Sequence, residues 1–520
     1  MRRKRRDGAK LQLSLTAGDK DSPHRESPQA GQAMRIFRQL VRKFSAGVAL
    51  AMAAGAPAFA ANPWALEAGR ATTNNTAITP SFITVNFTTA FATAPVVVVL
   101  PTNRGGDPAT LRIRNITASG FQVAPVEPTG NDGPHVAMTF DFVAMTPGVH
   151  VMPGGETVVA GTHSTSTVQH GTGVAGVEGW DTVSFGATLS GAASVIAGLQ
   201  TMNGETGTPP GGPSIPWLTV AMRNPSASTV QLALERSEAA PGTVGAETIG
   251  FIAFAAGAGG SFLDDGGAST SWSAVTTADN IRGWGTGGNC FTNTYSAAAF
   301  ASPHVVATKV RHDGGDGGWL RRCSLSGTSI GLVVDEDIFR DAERNHTTEA
   351  AGVLAFSRAF HAVFEGLLTA VKSVTIEEDP VNGASGPLAI PGARARYVID
   401  VQSVGKLPVD NDTVSFVDAL PPQTSLIVTD IAGPGSGPVR FTDGATTSAL
   451  TYAFTSLAST TDDLAFSSNG GASFTYTPTP GANGEDPAVT HIRVEPKGSF
   501  AGDGAGPNPS FTLEFDVIVE

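Results

Sequence analysis

Ala94-Pro95-Val96-Val97-Val98 opens a pattern that occurs three times before residue 365. The second copy opens with Ala193-Ser194-Val195-Ile196, and the third opens with Pro303-His304-Val305-Val306. Each copy continues with a second apolar strand that ends in an acid, and closes on a short apolar run such as Phe142-Val143-Ala144-Met145. The copies lie about one hundred residues apart, which is the size of a domain rather than of a solenoid repeat. The sequence therefore predicts tandem copies of one β-module.

The composition favours an all-β chain with several domains. A length of 520 residues exceeds what one core supports and suits three or four domains. Charged residues make up only 15% of the chain, and Val, Thr, Ile and Phe occur in short runs broken by Gly, Pro, Asn and Asp. Such runs are typical of strands joined by turns. We expect tandem antiparallel β-sandwich modules.

The N-terminus has the order of an export signal. Arg35 and Arg38 precede an apolar stretch over residues 46–56, and Ala58-Phe59-Ala60 follows it. This order predicts a signal peptide over residues 34–60, with cleavage after its last alanine. Residues 1–33 are basic and show no folding pattern, so we expect a disordered leader or an upstream start that is not used.

The charge of the chain excludes some partners. The formal net charge is −13, although the leader is basic, so the remainder of the chain is more acidic still. An acidic surface disfavours nucleic acid. No later segment has the roughly 18 consecutive apolar residues of a membrane-spanning helix, so we expect no transmembrane segment after signal cleavage. The expected location is extracellular or at the cell surface, with the periplasm as the alternative.

Cys290 and Cys323 are the two cysteines of the chain, and both lie in the third copy. An isolated pair in an exported protein favours one structural disulfide. Two free thiols are one alternative. A metal site is another, although no Cys-x-x-Cys pair supports it.

The first copy carries motifs of a known family. Leu111-Arg112-Ile113-Arg114-Asn115-Ile116 alternates with the period of a strand. Together with Phe91-Ala92-Thr93-Ala94-Pro95 and Gly120-Phe121, this order resembles the H-type lectin domain, a small antiparallel β-sandwich of sugar-binding proteins. The resemblance covers residues 85–145 and rests mostly on positions that form the core. It implies a sandwich fold and glycan recognition.

The last 150 or so residues change character. Pro391-Gly392-Ala393 leads into a long alternating strand with Tyr397-Val398-Ile399-Asp400-Val401, and Asp418-Ala419-Leu420-Pro421 follows. With Phe474-Thr475-Tyr476-Thr477-Pro478, these motifs closely resemble the bacterial surface-protein repeat known as domain of unknown function eleven. The resemblance implies an immunoglobulin-like sandwich that acts as an extracellular stalk or spacer.

These observations predict four modules after the signal peptide. Lectin-like β-sandwich modules are expected over residues 61–153, 154–260 and 261–368, the third with the disulfide. An immunoglobulin-like domain is expected over residues 369–520.

Two tryptophans are candidate ligand contacts. Trp217-Leu218 and Trp319-Leu320 open the corresponding strand in the second and third copies. An exposed pair of indole rings would form a platform for stacking on sugars. Packing at the edge of the core is the alternative.

The acids that end the second strands are Glu127, Glu235 and Glu336, and the third copy extends the last of these to Asp335-Glu336-Asp337. Carboxylates that accept hydrogen bonds from the backbone or from arginine explain the pattern. A calcium site at Asp335, Glu336 and Asp337 is the alternative, because clustered oxygen ligands suit that cation. We expect no other cofactor.

No arrangement of residues supports catalysis. Gly327-Thr328-Ser329-Ile330-Gly331 fits the spacing of a serine nucleophile elbow, but a strand rather than a helix follows it. We expect a non-enzymatic bacterial surface or secreted protein for adhesion or glycan recognition, with surface glycans or other surface proteins as partners. A structural spacer, or a component of a surface layer or appendage without a small ligand, is the alternative. A secreted hydrolase is less favoured.

Overall fold

The computed structural model describes residues 11–15, 60–169, 178–205, 208–236, 238, 243–285, 289–315, 317–340, 342–503 and 507–520. These residues form strands, turns and bends and contain no helix. They divide into two compact units. The repeat unit is Trp64–Phe364, and the terminal unit combines Met1–Pro63 with Glu365–Glu520.

The strands run in chain order through the three copies. β1 (Leu11–Leu15) belongs to the terminal unit. The first copy contributes β2 (Ala60–Thr72), β3 (Ile83–Asn86), β4 (Val96–Pro101), β5 (Thr110–Thr117), β6 (Gly120–Val126) and β7 (Thr139–Met145). Next come β8 (Gly148–Val151), β9 (Thr157–Thr165), β10 (Val168–Gln169), β11 (Asp181–Ser184), β12 (Ala193–Leu199), β13 (Thr219–Arg223), β14 (Thr229–Glu235) and β15 (Glu247–Ala255). The third group is β16 (Gly259–Leu263), β17 (Ser269–Thr276), β18 (Phe291–Thr294), β19 (His304–Lys309), β20 (Trp319–Leu325), β21 (Ser329–Asp335), β22 (Ala351–Phe356) and β23 (Phe360–Gly366).

Each copy builds two sheets. The first sheet has four strands in every copy, with the orders β23-β2-β7-β4, β8-β9-β15-β12 and β16-β17-β22-β19. The second sheet has three strands in the first copy (β3-β6-β5) and in the third (β18-β21-β20), and four in the second, where β10, β11 and β13 all pair with β14. In the first copy, Val97 and Phe142 of the larger sheet share a buried apolar cluster with Ile113 and Phe121 of the smaller one. The prediction of tandem antiparallel β-sandwich modules is confirmed.

The strand that follows the last long strand of each copy pairs in the sheet of another copy. β8 follows β7 but pairs with β9 in the second sandwich, and β16 follows β15 but pairs with β17 in the third. β23 lies beside β2 in the first sandwich, so these pairings close into a ring. Two expected module boundaries, after residues 153 and 260, therefore lie a few residues too late. The three copies form one unit rather than independent beads.

Three corresponding strands meet where the copies join. β4, β12 and β19 contact one another, and each also packs on the last long strand of the next copy: β4 on β15, β12 on β22, and β19 on β7. A Cβ atom at Gly352 of β22 would lie 2.2 Å from the Val195 carbonyl oxygen, so this approach requires glycine. The corresponding residue of β7 is Asp141, which accepts a 3.0 Å hydrogen bond from the Val305 amide.

The two cysteines form a disulfide, as expected. The Cα atoms of Cys290 and Cys323 are 5.8 Å apart, within the normal range for a disulfide.

The terminal unit is a second two-sheet structure. It adds β24 (Leu368–Glu378), β25 (Arg394–Ser403), β26 (Val414–Ala419), β27 (Thr424–Ile427), β28 (Val439–Asp443), β29 (Leu464–Ser467), β30 (Glu485–Asp486), β31 (His491–Val494) and β32 (Ser510–Val519). One sheet has the order β24-β25-β32-β27-β30 with β28 beside β32, and the other has the order β1-β26-β31-β29. Phe416 and Ile492 of the second sheet share a core with Tyr397 and Phe515 of the first.

One strand lies within the leader that was expected to have no structure. β1 pairs in parallel with β26, from Leu11 beside Val414 to Leu15 beside Asp418. Its sequence, Leu-Gln-Leu-Ser-Leu, has the alternation of a strand, a signal that the expectation overlooked. The predicted signal peptide lies outside the described residues, apart from Ala60.

The Asp418-Ala419-Leu420-Pro421 motif places an acid between the two sheets of the terminal unit. The Lys372 ammonium on β24 lies 2.6 Å from an Asp418 carboxylate oxygen, and it also lies 4.4 Å from the centre of the Tyr397 ring. Burial raises the pKa of Asp418, although Lys372 opposes the shift. This motif residue therefore forms a nearly buried ion pair in the core.

Candidate functional site

Two grooves lie at corresponding places between neighbouring copies. The first groove, between the first and second copies, encloses about 350 Å³ and is lined by Arg114, Asn115 and residues 200–203. The second groove, between the second and third copies, encloses about 760 Å³ and is lined by Arg223, Asn224 and residues 310–313. The strand register makes the two equivalent, because Arg114 lies opposite Gln122 as Arg223 lies opposite Gln231.

An arginine clamp stands at the edge of the first groove. The Arg114 guanidinium lies 3.8 Å from the centre of the Phe82 ring, and its Nε donates a 3.0 Å hydrogen bond to Gln122 Oε1. Asn115 Nδ2 donates to the same oxygen at 3.0 Å. Asn115 has a φ of 51°, a left-handed conformation that asparagine tolerates better than most residues. Stacking and hydrogen bonding together fix the plane of the guanidinium.

The same clamp recurs at the second groove. The Arg223 guanidinium lies 4.3 Å from the Trp180 ring centre, and its Nε donates a 2.8 Å hydrogen bond to Gln231. Asn224, with a φ of 50°, donates to that glutamine oxygen at 3.0 Å. Phe82 and Trp180 correspond, since each immediately precedes the strand that pairs with β6 or β14.

The sequence contains a signal for this clamp that the sequence interpretation missed. Arg114-Asn115-Ile116-Thr117-Ala118-Ser119-Gly120-Phe121-Gln122 and Arg223-Asn224-Pro225-Ser226-Ala227-Ser228-Thr229-Val230-Gln231 share the pattern Arg-Asn-x-x-Ala-Ser-x-x-Gln. Arg114 was interpreted only as one position of an alternating strand. A search of the second copy for the same polar positions would have found the pair.

The third copy has a disulfide in place of the clamp. Cys290 immediately precedes β18, as the aromatic residues precede β3 and β11. Cys323 lies at a bulge between Arg322 and Ser324, where Ser324 pairs with Gly331. The register aligns Cys290 with the aromatic ring and Gly331 with the glutamine. Counted along the strand from Trp319, which pairs as Thr110 does, Cys323 has the place of the arginine, although the bulge leaves Ser324 opposite Gly331. A covalent link therefore occupies the place of the stacked guanidinium.

In the part of the chain that the structure describes, the arginines of both clamps form no ion pair with an acidic side chain. Each side chain is half-buried. Within the part of the chain that the structure describes, Nη1 and Nη2 of Arg114 and Arg223 make no hydrogen bond or ion pair with a protein group. A guanidinium that is held in plane with free Nη atoms can donate two parallel hydrogen bonds to a ligand.

Buried carboxylates support the wall of the first groove. Glu247 accepts hydrogen bonds from the Asn203 and Gly204 amides at 2.6 and 2.7 Å. Arg112 of the first copy forms an ion pair with Glu205 of the second, and both side chains are buried. Arg112 also donates to the Thr201 carbonyl oxygen at 3.1 Å. These contacts fix residues 201–205 against the first copy.

Charged side chains of both signs line the second groove. His312 Nε2 of the third copy lies 2.7 Å from the buried Glu235 carboxylate of the second, and its ring contacts Trp180 edge-on at 5.4 Å. The exposed Arg311 lies 3.2 Å from Asp279 and 3.4 Å from Asp313.

Trp217 and Trp319 are both buried, so their rings are not available to stack on a sugar in this structure. Their ring centres lie 4.8 Å apart in a small apolar cluster with Val126. The cluster takes one residue from each copy, and Trp319 Nε1 donates to the Ala109 carbonyl oxygen at 2.9 Å. Trp319 pairs with Asp335, and at the corresponding position of the second copy Thr219 pairs with Glu235. Trp319 therefore corresponds to Thr219 rather than to Trp217, which lies two residues earlier.

The carboxylates of Asp335, Glu336 and Asp337 do not converge on a common point. Asp335 bonds Arg321 and Arg344, Glu336 bonds His346, and Asp337 accepts from the amides of residues 238 and 339. Among the described residues, no group of three or more His, Cys, Asp or Glu side chains is placed to hold a metal ion. The arrangement gives a calcium ion no shared set of oxygen ligands.

Each of the three strand-end acids instead contacts a histidine. Glu127 lies 2.9 Å from His135, and the contact between Glu235 and His312 spans two copies. Burial raises the pKa of Glu127, although His135 opposes the shift. The sequence favoured hydrogen bonds from the backbone or from arginine, and the contact common to the three acids is with a histidine.

The third acid belongs to a buried ionic cluster. His346 contacts Glu336 through Nδ1 and lies 3.0 Å from Glu349 through Nε2. Burial opposes the charged imidazole, but hydrogen bonds to Glu336 and Glu349 outweigh it and raise the pKa of His346. Burial also opposes ionisation of Glu349, but Lys309 and His346 lower its pKa to about 2.

Ser329 lies at the turn between β20 and β21, where its hydroxyl bonds the Ser326 hydroxyl at 2.8 Å.

In the described part of the chain, no helix has the length and apolar character to cross a membrane. No protein-family model matches this chain, and no curated protein is detectably similar to it.

Proposed function

We propose that this chain is an exported, non-enzymatic surface protein that recognises glycans through the two grooves of its repeat unit. The proposal rests on one observation: the same stacked arginine, with its asparagine and glutamine, stands at two corresponding grooves. Both grooves have the volume of small-ligand sites.

The chemistry of the grooves suits sugars. Sugar hydroxyls need donors and acceptors at fixed positions, and the clamp offers guanidinium Nη donors beside an asparagine carbonyl oxygen. The first groove adds Thr201 and Asn203, and the second adds His312 with two carboxylates. Two sites on one rigid unit would bind an array of surface glycans with avidity, which is what adhesion requires. The terminal unit would act as a spacer, and the disulfide suits an oxidising compartment.

A glycan-array screen of the full chain tests this function. The parent protein should bind a defined set of glycans, and the double variant Arg114→Ala/Arg223→Ala should lose at least tenfold in apparent affinity. The matched control is Arg358→Ala, which removes an exposed arginine of the same unit outside both grooves. Unfolding curves show whether each variant is folded. If the parent binds no glycan, the proposal fails and a structural spacer is the remaining function.

A further inference from the structure

We infer that the first groove selects acidic saccharides, whose carboxylate or sulfate group binds the guanidinium of Arg114, and that the second groove does not. The inference rests on the proposed function and adds a ligand class for one of its two sites. It follows from the different charges that the two grooves place around the same clamp.

Arg114 is the one charged side chain of the described lining of the first groove that has no charged partner. Among the described residues of the lining, the one carboxylate is Glu205, which is buried and paired with the buried Arg112. Glu247 lies behind the wall, where it is buried and accepts hydrogen bonds from the Asn203 and Gly204 amides. The other polar side chains of the lining, including Gln200, Thr201 and Asn203, are neutral. Because Glu205 and Glu247 are both buried, the accessible charge at the groove is the cation of the half-buried Arg114, although the chain as a whole is acidic.

The second groove balances the charge of its clamp. Arg311 and Arg223 contribute two positive charges, and Asp279 and Asp313 contribute two negative ones. Both aspartates are partly exposed, with 34% and 43% of the side-chain surface accessible. An anion beside Arg223 would also meet these carboxylates, whereas a hydroxyl would find acceptors in them.

The Arg114 clamp is preorganised for an anion. Gln122 holds Nε and Phe82 covers one face, so the Nη atoms are the groups left to donate. Carboxylate and sulfate oxygens match the spacing of two guanidinium N–H groups, and such charge-assisted bonds are about twice as strong as neutral ones. Glu247 holds the Asn203 and Gly204 amides of the opposite wall, so this part of the wall is fixed before a ligand binds.

Matched sugars that differ only at carbon 6 test the inference. Galactose and glucose are each displayed on a polymer in three forms: the neutral sugar, the uronic acid and the 6-sulfate. Binding of the full chain is measured at fixed ionic strength for the parent, Arg114→Ala, Arg114→Lys, Arg223→Ala and the Arg358→Ala control. The two acidic forms separate a carboxylate ligand from a sulfate ligand.

The parent should bind at least one acidic form at least tenfold more tightly than its neutral counterpart. Arg114→Ala should remove this preference, Arg114→Lys should restore only part of it, and Arg358→Ala should leave it intact. Equal binding of neutral and acidic forms would overturn the inference, as would a preference that survives Arg114→Ala or depends on Arg223. If the parent binds no probe here and no glycan on the array, the proposed function itself fails. If it binds array glycans but no acidic probe, only the inference fails.

Discussion

The third copy differs from the first two in the side chains that it carries at the place of the clamp. Where β5 and β13 carry a stacked arginine beside a groove, β20 carries a disulfide. Buried arginines bond across the contact between the third and first copies, since Arg321 donates to the Arg104 and Asp107 carbonyl oxygens and Arg344 to that of Gly106. Two contacts between copies therefore leave a cation free for a ligand, whereas the third uses its cations to close the ring.

The largest expected effect comes from breaking the third contact. Asp335→Ala should lower the free energy of unfolding by about 3–5 kcal/mol, because Arg321 and Arg344 would be left buried without a counter-ion. Urea unfolding of the full chain measures the loss. Asp279→Ala, which removes the partner of an exposed arginine, should cost less than about 1 kcal/mol. Equal losses in the two variants would contradict the account.

Removal of the disulfide should have the next largest effect. Cys290→Ser with Cys323→Ser opens a loop with a sequence separation of 33 residues, which the chain-entropy model values at about 3–4 kcal/mol. The measurement is the shift of the unfolding midpoint relative to the oxidised parent. An unchanged midpoint would mean that the third copy does not depend on its covalent link.

A graft places the clamp in the third copy. The graft carries four substitutions: Cys290→Phe, Cys323→Arg, Ser324→Asn and Gly331→Gln. Its free energy of unfolding should exceed that of the variant with both cysteines replaced by serine by about 0.5–2 kcal/mol, because it adds cation–π contact and hydrogen bonding. All four changes are needed, since a Cβ atom at Gly331 would lie 2.4 Å from Cys290 Sγ in the parent. A graft that is less stable than the serine variant would show that the positions are not equivalent.

The smallest expected effect is on pH dependence. The folded-state pKa of His346 is raised above its unfolded value, so its contribution to stability is complete below about pH 6.5 and is lost as the pH rises through the folded pKa. The free energy of unfolding should therefore fall more steeply above pH 6.5 in the parent than in His346→Gln. Parallel pH profiles would contradict the assignment of a charged histidine between Glu336 and Glu349.

The sequence predicts the sandwich modules because alternating strands and turn residues act locally. The assignment of strands to sheets was not predictable in this way. β8 and β16 follow directly after the last long strand of one copy, and only their pairing with β9 and β17 shows that they belong to the next copy. The disulfide was predictable because no other cysteine competes for either partner.

The candidate site was less accessible to sequence reasoning. Trp217 and Trp319 were predicted as ligand contacts because they are aromatic. Both are buried because the three copies pack together around them, and the sequence of one copy does not show that packing. The clamp was readable as a repeated polar pattern, yet the groove beside it is formed by residues about ninety positions away, on the next copy.

Ligand is expected to bind between the copies, at the clamps. A crystal structure of the full chain with its tightest glycan from the array tests this placement. The account predicts a sugar within hydrogen-bonding distance of the Nη atoms of Arg114 or Arg223 and in contact with the neighbouring copy. A sugar bound to a single copy away from both arginines, or bound only to the terminal unit, would contradict it.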